Sequence, residues 1–283
     1  MNALSLLATL VLIANPAAPQ PDPGLRLAWE NNFLTVSGAK LPGGSVKVMY
    51  LEAYCRPGST NRDWSKTVIP HKTQLVEAAP DGKALVLRCR LQDGVVVDHR
   101  ITADADSVDF RLTATNPGST ASQAHWAQPC VRVDAFTGVK PDRASEAYLG
   151  KSFIYVDGKL TRLPCQPWAT KALYVPGQVW CPRRVPREDV NPRPLSAIVP
   201  SNGLIGCFSA DERMILASAW EPYQELFQGV VVCLHSDFRI GGLQPGETKI
   251  IRGKLYLMNA DPDVLLRRYQ VDFPEHHEPA RSQ

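Results

Sequence analysis

Cys233, His235 and Asp237 stand at positions i, i+2 and i+4 of the run VVVCLHSDF. On a strand, alternate residues share a face, so these three point one way while Val232 and Leu234 point the other. Trp220, Tyr223 and Glu225 lie just upstream in WEPYQELFQG. Aromatic rings stack on sugar faces, and carboxylates and imidazoles bind hydroxyls or move protons. The set is that of a carbohydrate site, with His235 as acid or base and Glu225 or Asp237 as the orienting carboxylate. A histidine with a pKa near neutrality serves either role. The plain alternative is a strand with a polar, solvated face. A metal reading of Cys233, His235 and Asp237 meets a geometric objection. Alternate residues of one strand sit roughly 7 Å apart, so an ion would need ligands from elsewhere. The pattern therefore calls for no metal and no cofactor.

A second group lies in HWAQPCVR, residues 125–132. Trp126, Gln128, Cys130 and Arg132 share one parity. His125 is the candidate catalytic partner of His235, with Glu225 as the third catalytic candidate. Trp126, Gln128 and Arg132 join Trp220, Tyr223 and Asp237 as candidate substrate contacts. Pro129 can mark a bulge and reset the alternation, which leaves the direction of His125 open. His99 alternates with Val95, Val97 and Ile101 and reads as half-buried structure. His71 follows Pro70 in a loop, and His276 and His277 sit in the tail, where solvation is expected. Tyr54, Arg56 and Trp64 form either a stacking rim or an ordinary loop packed by its own rings.

The elements that must carry these groups are strands. From Leu25 to Thr115 one strand pattern follows another, clearest in SVDFRLTAT, where Val108, Phe110 and Leu112 alternate with Asp109, Arg111 and Thr113. Short turns at 92–94 and 104–106 favour antiparallel neighbours, and Asp157-Gly158 marks a hairpin. Residues 175–200 are Pro-rich, carry Arg183, Arg184, Arg187 and Arg193, and suit neither a central strand nor a helix. A long ordered loop of this kind is a lid, a binding loop or a plain excursion. If its arginines overhang the site, an anionic glycan is favoured, because guanidinium matches carboxylate bidentately. Strands return after Pro200, with VVVCLHSDF and TKIIRGKLYLM flanking a turn at 244–247. Asp261 and Pro262 then open a short helix with Val264, Leu265 and Tyr269 on one stripe. The fold class is all-β, a large antiparallel sandwich ending in a short helix.

A chain of 283 residues with 44% hydrophobic and 21% charged residues has a sizeable core, and large sandwiches run to this length as one domain. A net charge of +3 without a long basic run argues against nucleic acid. Leu4 to Ala14 is an apolar run of signal-peptide length, too short to span a bilayer. Residues 1–20 are thus read as a signal peptide and 21–283 as one sandwich domain, secreted or periplasmic, with no integral membrane segment. Seven cysteines contain no CxxC pair, which disfavours a zinc ribbon. Cys165 and Cys181 flank the Pro-rich loop and are the first pair expected to bridge in an oxidising compartment. No GxSxG elbow, Walker A loop, Rossmann fingerprint or HExxH is present.

Two stretches resemble the galactose mutarotase-like (aldose epimerase-like) supersandwich superfamily, over roughly residues 25–260. One is SVDFRLTATNPGSTASQAHWAQPCVRV, with Thr115-Asn116 ending a strand and His125-Trp126 opening the next. The other is VVVCLHSDFRIGGLQPGETKIIRG, which looks like the terminal pair of strands joined by a Leu-x-Pro-Gly-Glu turn, Leu243 to Glu247. The resemblance implies a sugar site on the concave face of the larger sheet. In mutarotases a His is general acid and a Glu general base; His125 matches the first loosely, and His235 stands where the Glu is expected. The readings are therefore a carbohydrate-active enzyme (epimerase, polysaccharide lyase or glycosidase), a non-catalytic glycan-binding protein, or a structural envelope protein. The expected partner in the first two is a carbohydrate, with an anionic polysaccharide as one form of it.

Overall fold

The computed structural model describes residues 24–140, 147–166, 177–191, 195–229 and 231–276. Residues 1–20, read as a signal peptide, lie outside that set, as do Arg193 and His277. In chain order the strands begin with β1 (Arg26–Glu30), β2 (Phe33–Ser37), β3 (Ser45–Cys55), β4 (Val68–Ile69), β5 (His71–Ala78) and β6 (Ala84–Leu91). Next come β7 (Val96–Ala103), β8 (Ser107–Thr115), β9 (Trp126–Arg132), β10 (Ser152–Val156), β11 (Lys159–Arg162) and β12 (Gly177–Trp180). The last are β13 (Ile205–Phe208), β14 (Met214–Glu221), β15 (Tyr223–Gly229), β16 (Cys233–Arg239) and β17 (Thr248–Asn259). Among the described residues the α-helices are α1 (Trp64–Thr67), α2 (Asp134–Thr137) and α3 (Pro262–Asp272).

These strands form two antiparallel sheets. The first runs β1-β2-β3-β9-β16-β15-β12, with β4 paired to β3; the second runs β11-β10-β13-β14-β17-β8-β7-β6-β5. The local reasons are those of the sequence. Asp157 and Gly158 take φ of 49° and 72°, the left-handed pair that a two-residue hairpin between β10 and β11 requires. Asp261 caps α3 by accepting from the backbone of Asp263 and Val264. The main core lies between the sheets and includes Tyr50, Leu87, Val97, Phe110, Leu112, Trp220, Leu234, Phe238 and Leu255. Burial of this apolar area is the main stabilising term.

Each sheet is also covered on its outward face. On the second, Leu265, Tyr269 and Phe273 of the C-terminal segment pack with Phe153, Tyr155, Ile215 and Tyr256. On the first, Val185 and Val190 pack with Val179, Cys181 and Phe227. Polar residues on that face are therefore buried, not solvated.

Three expectations are corrected. β16 and β17 are not a hairpin: β16 belongs to the first sheet and β17 to the second. The link between them is held to another crossover, residues 116–125 between β8 and β9. Asn116 donates from Nδ2 to the Leu243 carbonyl at 2.9 Å, its carbonyl accepts from Gly246 N at 2.8 Å, and its N–H donates to Glu247 O at 3.0 Å. The two stretches that carry the resemblance thus dock on each other. Next, His276 is buried, because Tyr269 Oη and Glu221 Oε2 hold its two ring nitrogens and Phe273 stacks on it at 5.5 Å between centroids. Finally, Cys165 and Cys181 are unbridged, and all seven cysteines are free. Among the described residues no helix is long and apolar enough to cross a membrane.

Candidate functional site

On β16, Leu234 and Phe238 enter the core between the sheets, so Cys233, His235 and Asp237 face outward beneath the 181–191 segment. Register adds their neighbours. Asp237 is opposite Glu225 and His235 opposite Phe227 on β15, while Cys233 is opposite Arg132 and Arg239 opposite Trp126 on β9. Gln128 and Cys130 share the face of Trp126 and Arg132. From β3, Met49 lies opposite Cys130 and Ala53 opposite Gln128. A register shift between Met49 and Ala53 lets Glu52 reach Gln128, which donates to it at 3.2 Å.

The covering segment completes the floor. Asn191 donates from its backbone N–H to both Glu225 oxygens, at 3.2 and 2.9 Å, and from Nδ2 to Gln128 Oε1 at 3.2 Å. One row therefore runs Glu52, Gln128, Asn191, Glu225, with Asp237 beside it and His235 next along the strand. Cys233 Sγ is 3.4 Å from His235 Nε2, and His235 Nδ1 is 3.7 Å from Asp237 Oδ1. His235 is 2% and Asp237 0% exposed. Both Asp237 oxygens, Asn191 Oδ1 and His235 Nδ1 are buried without a hydrogen-bond partner. Such atoms cost free energy until something pairs with them.

The pKa shifts follow from this packing. The Cys130 thiol donates to Cys233 and holds it down to about 5, with the His235 charge adding to the effect against burial. Cys130 itself is pushed well above the thiol range by that same hydrogen bond and by burial. Burial pulls His235 down, but the Cys233 charge and the Asp237 carboxylate outweigh it and leave it well above the ordinary imidazole value. Burial raises Asp237 to about 6 against the opposing pull of His235. Cys233 is thus drawn toward its charged form, His235 likewise, and Asp237 away from it, in line on one strand.

His125 lies at the end of this face. Its Nδ1 is 3.5 Å from Asp189 Oδ2, and burial lowers its pKa more than Asp189 raises it. Arg239 donates to the same Asp189 oxygen at 3.1 Å and to Gln224 at 2.7 Å. Four residues of strand separate Arg239 from His235, roughly 13 Å, so the two histidines do not share one reacting atom.

The structure brings together Trp126, Gln128, Arg132, Glu225, His235 and Asp237 on one face. It does not bring Trp220 or Tyr223 there. Trp220 lies between the sheets against Phe110 and Phe238, and Tyr223 packs on Gly203, because the register shifts between Tyr223 and Glu225. Trp126 is covered by Trp64, and Tyr54 is a core residue. The Pro-rich segment covers the site and does not project away. Of its described arginines, Arg187 donates to Cys181 Sγ and Ser196 O, and Arg184 lies over the Tyr223 ring at 4.6 Å. Glu52, Asp189, Asn191 and Arg239 were not legible in the sequence. Glu52 depends on a register shift, and Asp189 and Asn191 lie in a segment with no periodicity.

No protein-family model matches the chain, and no curated protein matches it either. Solved structures of similar course do exist. A galactose mutarotase-like protein from Lactobacillus casei is 9% identical, covering 83% of this chain and 100% of that one, with a TM-score of 0.43. An aldose epimerase homologue from C. elegans is 8% identical, covering 84% and 99%, with a TM-score of 0.41. An alpha-mannosidase from Enterococcus faecalis is 9% identical, covering 95% of this chain and 32% of its own, with a TM-score of 0.46. The first two carry the name of the group that the two sequence stretches resemble. At these identities and scores the likeness carries no argument about activity.

Proposed function

We propose that the protein is a carbohydrate-active protein that binds a neutral sugar on the outward face of the first sheet, over Gln128, Glu225, Asp237 and Asn191. One observation carries the reading. Three buried acceptor atoms, Asp237 Oδ1 and Oδ2 and Asn191 Oδ1, have no donor, and a polyhydroxylated ligand brings several donors. The 182–191 segment moves to admit the ligand and returns Asn191 to it. Neutral sugars are favoured over anionic polysaccharides because Glu52, Glu225 and Asp237 make the floor acidic, while the guanidinium groups of Arg184 and Arg187 are engaged elsewhere. If the protein is catalytic, Glu225 and Asp237, opposite each other on neighbouring strands, are the proton-transfer pair, and His235 positions Asp237. His125, linked to Asp189 at the rim, then contacts the ligand's outer end. Export of the mature chain, secreted or periplasmic, fits polymer sugars outside the cell.

The test is binding of the purified protein to a panel of neutral and acidic mono- and polysaccharides, with product analysis on every hit. Asp237→Asn and Asn191→Ala are expected to weaken a neutral hit at least tenfold. Product formed by wild type and lost in Asp237→Asn makes the protein an enzyme, and binding without product makes it a binding module. A protein that binds no glycan on the panel, or binds equally well in both variants, overturns the reading.

A further inference from the structure

The geometric objection to a metal on β16 disappears in three dimensions. Cys130, from the neighbouring strand β9, joins Cys233 and His235 so that one ligand atom from each lies within 4.8 Å of the others. His235 folds back along its own strand and brings Nε2 to 3.4 Å from Cys233 Sγ. Tetrahedral Zn–S and Zn–N bonds of roughly 2.0–2.3 Å put ligand atoms about 3.5 Å apart, so small side-chain shifts close the trio on an ion. All three residues are buried.

We propose that Cys130, Cys233 and His235 form a binding site for a soft d10 metal ion, Zn2+ or Cu+. Two thiolates and an imidazole are the donor set such ions select. A second, independent observation points the same way. Behind the ring, on the Nδ1 side, stands the Asp237 carboxylate at 3.7 Å, fully buried and without a hydrogen-bond partner on either oxygen. Metal-binding histidines characteristically give their other N–H to a carboxylate, which fixes the tautomer and raises the basicity of the ligating nitrogen. With Nε2 on an ion, His235 must carry its proton on Nδ1, and Asp237 gains the donor it lacks. Met49 lies opposite Cys130 on β3, on the same face. Ligation requires both sulfurs as thiolates and His235 neutral, so binding releases the thiol and ring protons to solvent. The inference does not depend on sugar binding. Where both hold, His235 acts on Asp237 from Nδ1 and never as a free acid.

The experiment uses the full chain, purified with reductant and stripped by a chelator. Co2+ serves as a spectroscopic probe, and Zn2+ and Cu+ are titrated separately against competing chelators. The expected result is one ion per chain, a cobalt–thiolate absorption that Zn2+ abolishes, and a Zn2+-dependent rise in melting temperature. Cys130→Ser and Cys233→Ser are expected to lose affinity at least a hundredfold and the melting shift with it. Cys165→Ser, outside the trio, is expected to retain both. Should the serine variants fail to fold, Asp237→Asn is the second measure, with an expected loss of roughly 10–100-fold in ion affinity. Failure of reduced, folded wild type to retain either ion overturns the proposal. A native Cys130–Cys233 disulfide mapped in unreduced protein overturns it as well. Neither result bears on glycan binding, which is read with no metal present.

Discussion

His99 and His235 are both almost entirely shielded from solvent, and their surroundings differ in kind. His99 on β7 lies between the sheets. Its Nδ1 meets Tyr50 Oη at 2.8 Å and its Nε2 meets Tyr54 Oη at 3.2 Å, so one nitrogen donates, the other accepts, and the ring is complete as a neutral group. Burial pushes its pKa down to about 3. His235 on β16 is just as buried, but its neighbours are two cysteines and a carboxylate, and its pKa moves up. Burial therefore does not decide what a histidine is for; the closure of its hydrogen-bond network does. A closed network serves the fold, and an open one, with acceptors left over, is where a ligand belongs.

The largest expected effect breaks the closed side. His99→Ala takes from two buried tyrosine hydroxyls the ring they bond and opens a cavity, and is expected to cost about 4 kcal/mol in chemical denaturation. A cost below about 1 kcal/mol would mean that the Tyr50–His99–Tyr54 network is not structural.

Acid sharpens the comparison next. The folded-state pKa of His99 lies below its unfolded value of about 6.5, so the unfolded chain binds the extra proton. The stability His99 contributes is whole above pH 6.5 and is lost as pH falls from there toward 3, by up to about 1.4 kcal/mol per pH unit. Denaturation midpoints between pH 7 and pH 4 measure this, and His99→Gln, which cannot take the proton, is expected to flatten the profile. A profile unchanged in that variant would assign the acid sensitivity to another group.

On the open side the sign reverses. Asp237→Asn removes a buried carboxylate that no hydrogen bond satisfies, and is expected to stabilise the ligand-free, metal-free protein by about 1–2 kcal/mol while weakening what it binds. Destabilisation would show that Asp237 is held by the His235 charge strongly enough to be structural.

The smallest effect is on the outer hydroxyl of the closed network. Tyr54→Phe removes one of the two bonds to His99 and is expected to cost about 0.5–1 kcal/mol, read as a lower urea midpoint at unchanged slope. An effect equal to that of His99→Ala would mean the network fails as a unit.

The residues also show how far the sequence reaches. Alternation in SVDFRLTAT, the Asp157-Gly158 turn and the Asp261-Pro262 helix start are local facts, set by side-chain period, φ preference and capping, and they are legible without a structure. So is the shared face of Cys233, His235 and Asp237, because it follows from a period of two. Partners across strands are another matter. Cys130 reaches Cys233 only through the β9–β16 register, and Glu52 reaches Gln128 only past a shift in β3. Asn191 caps Glu225 only because a Pro-rich segment without periodicity lies across the sheet. The sequence likewise placed Trp220 and Tyr223 near His235 by chain distance, whereas a change of sheet and a register shift send both into the core. The sequence by itself determined the strands, the turns and the chemistry each face could offer, since these depend on neighbours a few residues apart. Only the tertiary structure decided which of those groups meet and which are left without a partner, since contacts between strands far apart in the chain depend on register and crossover, which no local pattern encodes.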